Sequence, residues 1–268
     1  MNFKKILALT LVMLLTVCLL CSCSSKAERT LERADKALAG KNFKMSYDFV
    51  FTYSDPYLQN ICTVMNYTKG YMIVDGEKVF ASTELEMPTS AGQLVNSINY
   101  TFINEYVYVY EKATVAGNGT SRKFKVFLTD EQKAELLGDP GRSFDLKASY
   151  FTDPIYEGKD ENEIIRCYSF SEDFKESLKE MVDSALESIS KEYTLDLTSA
   201  RIDIILKDGE YSSAVIECSY DVTIGSKTYK MTMEMNISFE TDGELSVSTP
   251  DKEMSYLTKE YDDVFGED

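Results

Sequence analysis

The side chains with the most regular spacing are Tyr229, Met231, Met233, Met235, Ile237 and Phe239, which alternate with Lys230, Thr232, Glu234, Asn236 and Ser238. A strict period of two puts the first set on one face of a strand. Three successive thioethers make a polarizable surface that adapts to ligands of varying shape. Phe43, Met45, Tyr47, Phe49 and Phe51 repeat the same period, and Phe174, Leu178 and Met181 recur at helical spacing. Brought together, these residues would line a hydrophobic cavity for an acyl chain or a similar ligand. The plain alternative is an ordinary core, because an apolar sheet face has to be buried by something. A second aromatic group, Tyr100, Tyr106, Tyr108 and Tyr110, fits either a ledge for a ligand or cross-strand packing.

Little else in the chain suggests catalysis. It contains no histidine and no tryptophan, so it has no Ser-His or Cys-His nucleophile pair and no histidine metal site. Cys62, Cys167 and Cys218 are too few for more than one internal bridge, and no CxxC occurs. Asp160-Glu161-Asn162-Glu163, with Asp153 and Glu157, lacks the spacing and the turn glycine of a calcium loop and reads as a solvated charge run. The expectation is a protein that is not an enzyme and takes no cofactor or metal.

The first residues carry an address. Lys4 and Lys5 precede an uncharged apolar run from Ile6 to Leu20, which ends in Leu20-Cys21-Ser22-Cys23. A cationic start, an apolar stretch shorter than the roughly 20 residues of a spanning helix, and a small residue before the cut describe an export signal. Leu20 and Ser22 before Cys23 resemble the bacterial lipobox, in which that cysteine is diacylated and becomes the first residue of the mature chain. The resemblance implies a signal peptide over 1–22 and a lipidated tether over 23–27.

Removing residues 1–22 takes away two lysines and no acids, so the formal charge goes from −17 to −19. A body this acidic is repelled by nucleic acid, which excludes it as a partner, and by anionic head groups. Apolar content of 44% argues against disorder.

The elements that would position the apolar residues follow from periodicity. Leu31, Ala34 and Leu38 mark a short helix that Gly40 ends, and 43–53 is a strand of about 36 Å at about 3.3 Å per residue. Further strands are expected near 61–67, 71–74, 78–82, 97–103, 106–111 and 123–128, with 116–121 as a loop. Thr129 with Gln132, and Ser169 with Glu172, read as capping boxes opening helices, the second running to 190. Strands 164–170, 201–206, 213–223, 227–239 and 244–248 are joined by Asp208-Gly209, Gly225-Ser226 and Asp242-Gly243. Turns that tight make antiparallel meanders.

A lipobox, a short helix, a long amphipathic strand, meanders and a long helix before the last meander together resemble the LolA/LppX-like lipoprotein group. The resemblance implies an α+β fold, a strongly curved, half-barrel-like antiparallel β-sheet with helices packed on its concave face, and a lipid-holding cavity between. The expected organisation is one domain over 28–250, built as two similar halves (28–130 and 164–250), with an acidic tail over 251–268. The expected function is a membrane-anchored, non-enzymatic binder or carrier of a hydrophobic ligand such as a lipid. The alternative is an envelope module with a solid core that engages a protein partner.

Overall fold

In the computed structural model, residues 25–39, 41–56, 67–89, 91–138, 148–159, 162–176, 178–179, 193–241, 245–250 and 255–265 are described. The expected signal peptide over 1–22, Cys23, Cys62, Met181 and most of the expected 171–190 helix lie outside them.

The first described element is helix α1 (Lys26–Leu38), opened by a full capping box. The Ser25 hydroxyl accepts from the Glu28 amide at 3.1 Å, and Glu28 accepts from the Ser25 amide. Its buried side, Ala27, Leu31 and Ala34, lies against the sheet. Strand β1 (Phe43–Tyr53) follows with the bounds its alternation predicted.

A meander comes next: β2 (Tyr67–Asp75), β3 (Lys78–Thr89), β4 (Gly92–Ile103), β5 (Tyr106–Val115) and β6 (Asn118–Phe127). These strands are longer than periodicity suggested. The expected loop 116–121 shrinks to a turn at Ala116-Gly117, both at positive φ, so β6 begins at Asn118 instead of Lys123. Ladder pairing with β5 overrides the low strand propensity of Asn118 and Gly119. The Thr129–Gln132 capping box forms as expected and opens α2 (Asp130–Gly138).

The second half contains β7 (Phe151–Thr152), β8 (Ile155–Lys159), β9 (Asn162–Cys167), β10 (Ser169–Phe170), β11 (Thr194–Lys207), β12 (Glu210–Ile224) and β13 (Lys227–Glu240). The strand expected over 164–170 is broken at Tyr168, and β10 turns away to pair with β7. The helix that follows is capped by Ser171, whose hydroxyl accepts from the Phe174 amide at 3.2 Å, and not by Ser169. Ser169 is already committed to the β10 ladder.

With a short last strand, β14 (Leu257–Lys259), twelve strands form one sheet in the order β14-β6-β5-β4-β3-β2-β1-β13-β12-β11-β9-β8. The expected antiparallel meanders are present on both sides, and helices are a minor part of a predominantly β chain. One strand departs from the antiparallel plan. The chain beyond Glu240 does not form the strand expected over 244–248: residues 245–250 run without regular structure. Then β14 (Leu257–Lys259) pairs in parallel with β6, and α3 (Asp262–Phe265) follows. The segment read as a weakly patterned tail is thus built into the sheet edge. None of the helices among the described residues is long and apolar enough to cross a membrane.

Register puts the apolar residues of every main strand on one face. A larger core joins α1, β1, β9, β11, β12, β13 and the helical residues Phe174 and Leu178. A second core joins Val79, Phe102, Val107, Val109, Phe124 and Val126 with Leu136 of α2, and Tyr261, Val264 and Phe265 pack against it. Leu31 is fully buried in the larger core. Leu31→Ala is expected to cost about 2–5 kcal/mol through lost burial and a residual cavity, read as a lower urea midpoint with unchanged slope. A cost below about 1 kcal/mol would mean that α1 is not locked to the sheet.

Candidate functional site

The β1–β13 register brings the predicted residues together as direct cross-strand partners: Met45 with Phe239, Tyr47 with Ile237, Phe49 with Met235, and Phe51 with Met233. Phe43 and Tyr229 sit half-buried toward the edges of the same cluster, and Leu178 packs into it. Met181 and Cys23 lie outside the described residues.

Exposure separates two regions of this apolar face. Met231, Met233, Met235 and Phe51 are each no more than 1% exposed, and Ile237 is 3% exposed. Side chains that leave so little surface to a water-sized probe are packed against solid protein, so the methionine ladder lines a filled core. Between the two cores the face is open by comparison. Met72, Ala81, Leu85, Ile98 and Tyr100 are only half-buried, and Met72 touches both clusters.

The junction between ladder and band is set by one glycine. Gly70 is the register partner of Tyr47, and a Cβ at Gly70 would meet the Tyr47 hydroxyl at 2.5 Å and the Ser82 carbonyl oxygen at the same distance. The absent side chain lets the Tyr47 ring lie across β2 and reach the Thr83 hydroxyl at 2.8 Å. Burial raises the Tyr47 pKa above its ordinary value, against the smaller opposing effect of the Thr83 hydrogen bond.

The opposite face carries a cleft of about 380 Å³ over β2–β5. Its floor includes Phe80, Thr101, Tyr108 and Tyr110, and its roof is the irregular run 246–250 together with Tyr256. The Asp75 carboxylate holds that roof, accepting from the Val247 amide at 3.0 Å and from the Asn42 side-chain amide at 3.0 Å. Tyr256 stands edge-on to Tyr108, centroids 5.5 Å apart at 87°. Sequence reading singled out Tyr108 and Tyr110 but missed Tyr256, which lies in a segment without periodicity. At the far end of the apolar face, Glu111 pairs with Arg122 at 2.8 Å beside Asn96, Ile98 and Thr120.

The acidic stretch near 160 is engaged where it is described. Glu163 accepts from the Tyr156 hydroxyl at 2.8 Å, and Glu157 pairs with Arg166, which also grips Asp203 through two bonds at 2.7 and 3.0 Å. Among the described residues no group of His, Cys, Asp and Glu is arranged to hold a metal ion.

No protein-family model matches the chain, and no curated protein matches it. Among solved structures, the ywiB protein from Bacillus subtilis is similar at 12% identity over 75% of this chain and 93% of its own, with a TM-score of 0.16. An N-terminal dehydratase from the difficidin assembly line is similar at 8% identity over 85% and 84%, with a TM-score of 0.20. Likenesses at those TM-scores carry no argument about fold or activity.

Cys167 and Cys218 are free thiols, 0% and 2% exposed, and burial pushes both up to about 12. At pH 8 their thiolate fraction is on the order of one in ten thousand. Maleimide labelling of the native protein, mapped by peptide mass, should leave both untouched until denaturant is added; rapid native labelling of either would refute this burial. Because the folded pKa lies above the unfolded one, this contribution to stability is complete below about pH 8.5 and is lost as pH rises toward about 12.

Proposed function

We propose that the chain is an extracytoplasmic lipoprotein, held at a membrane through a diacylated Cys23, that binds or carries a hydrophobic ligand such as a lipid and performs no catalysis. The observation that supports this reading is the partial cover on the apolar face. The chain's own helices close that face at its two ends and leave Met72, Ala81, Leu85, Ile98 and Tyr100 half-buried between the cores. An apolar strip in that state favours an apolar occupant, at about 25 cal/mol for each Å² removed from water. In this proposal the sheet is strongly curved, half-barrel-like, with the helices on its concave side, and the band is the ligand seat in place of the methionine ladder.

The anchor suits the charge. A body at −17 before processing is repelled by anionic head groups, so residence at a membrane calls for covalent lipid, and two acyl chains give the stable attachment that one does not.

The filled methionine ladder favours a second reading, an envelope interaction module with a solid core and a protein partner. Native mass spectrometry of the mature chain, followed by organic extraction, separates the two. The carrier reading expects a co-purifying mass in the lipid range, lost on extraction, regained on adding lipid, and abolished by Ala81→Trp, which fills the band. A clean unliganded mass with no lipid uptake would rule out the carrier. For the anchor, Cys23→Ser is expected to abolish incorporation of an azide-tagged fatty acid and release the protein from membranes; unchanged incorporation would overturn the assignment of Cys23.

A further inference from the structure

The cleft on the opposite face is chemically unlike the apolar band, and three observations give its ligand a character. The first is a hydroxyl on the cleft floor. Thr101 is only 5% exposed, and it lines the cleft. A hydroxyl there offers a ligand one donor and two acceptor lone pairs. Nearby, Asn99 accepts from the Ser82 hydroxyl at 2.8 Å through its carbonyl oxygen, which leaves its amide hydrogens for the cleft.

The second is the pairing of aromatic rings with those polar groups. Phe80, Tyr108, Tyr110 and Tyr256 present ring surface in the same space as Thr101 and Asn99. An acyl chain would leave the hydroxyl and amide unpaired, whereas a sugar ring stacks its C–H face on an aromatic ring and directs its own hydroxyls to polar neighbours. The volume, about 380 Å³, lies at the small end of ligand sites and suits one or two rings.

The third is charge. Acids outnumber bases by 45 to 28 in this chain, yet none of the described residues lining the cleft is a carboxylate. Lys123 stands beside it, its ammonium 5.2 Å from the Tyr110 ring centre and 5.7 Å from that of Tyr256. Those ring contacts are its interactions among the described residues, with no carboxylate among them. A cation so placed against the cleft's rings complements an anionic group on the ligand.

We infer that the cleft beneath the 246–250 roof is a binding site for an acidic sugar, a saccharide unit carrying a carboxylate. The rings of Tyr110 and Tyr256 stack it, Thr101 and Asn99 hydrogen-bond its hydroxyls, and Lys123 receives its carboxylate. This site lies on the face opposite the proposed lipid seat, so the two stand or fall separately.

The test uses the full chain in mild detergent, titrated with the disaccharide of glucuronic acid and N-acetylglucosamine, with N,N′-diacetylchitobiose as the neutral control. Calorimetry and tyrosine emission report binding; the latter is unobscured because the chain has no tryptophan. Saturable binding of the acidic sugar is expected, about tenfold tighter than the neutral one, as for a hydrogen bond to a charged group. Lys123→Met should remove that preference, and Thr101→Val should weaken both sugars about fivefold or more. Lys123 is a surface residue, so its variant remains informative even where Thr101→Val fails to fold. Absence of saturable binding, or an acid preference that survives Lys123→Met, would overturn the proposal.

Discussion

The pairing of β1 with β13 is the contact on which the rest of the molecule depends. It joins two meanders, β2–β6 on one side and β8, β9, β11 and β12 on the other, into a sheet that neither could form alone. Its register is fixed by side-chain parity: a slip of one residue would turn Phe49 and Phe51 away from Met235 and Met233 and expose both rows together. Every apolar set in the neighbouring strands inherits its side from this choice, from Cys218 and Ile216 on β12 to Met72 on β2. The helices then have one face to cover, and α1 reaches the larger core because that face continues without interruption across the join.

With one face devoted to packing, the other is left to polar and charged residues that organise across strands. Arg166 forks onto Asp203, Lys69 sits between Glu84 and Glu86, and Ser82 meets Asn99. Exposed pairs of this kind contribute little stability, but they align neighbouring strands and discourage misregister. The exception is the end near β5 and β6, where rings replace charges and the chain returns to cover them. The last elements fold around that edge. Residues 246–250 lie over the opposite face, β14 lines β6, and Tyr261, Val264 and Phe265 reach the second core.

Much of this was legible in the sequence, and the omissions have a common cause. Strict alternation gave β1 its bounds, because period and burial coincide there. Strands β3, β4 and β6 extend well past their predicted ends where burial does not alternate: residues 118–122 of β6 are exposed on both faces, and 94–96 of β4 are half-buried on both. Tyr256 escaped for the same reason: a three-residue parallel strand and an irregular roof are held by the sheet they meet and leave no local pattern. The methionine row was correctly placed on one face, but sequence could not say whether that face was filled. Filling depends on helices that arrive from elsewhere in the chain.

The central pairing also sets a timetable. Its register partners run from Tyr53 with Met231 to Lys44 with Glu240, 178 to 196 residues apart, so at about 5–20 residues per second β1 waits about 10–40 s for β13 to be made. During that interval β1 is an open edge bearing Phe49, Phe51 and Tyr53, the kind of surface that recruits foreign strands. A sheet that can close only from its far end gains from being kept unfolded until the whole chain is available. Under the proposed export, passage across a membrane in an extended state would impose that delay and so aid folding.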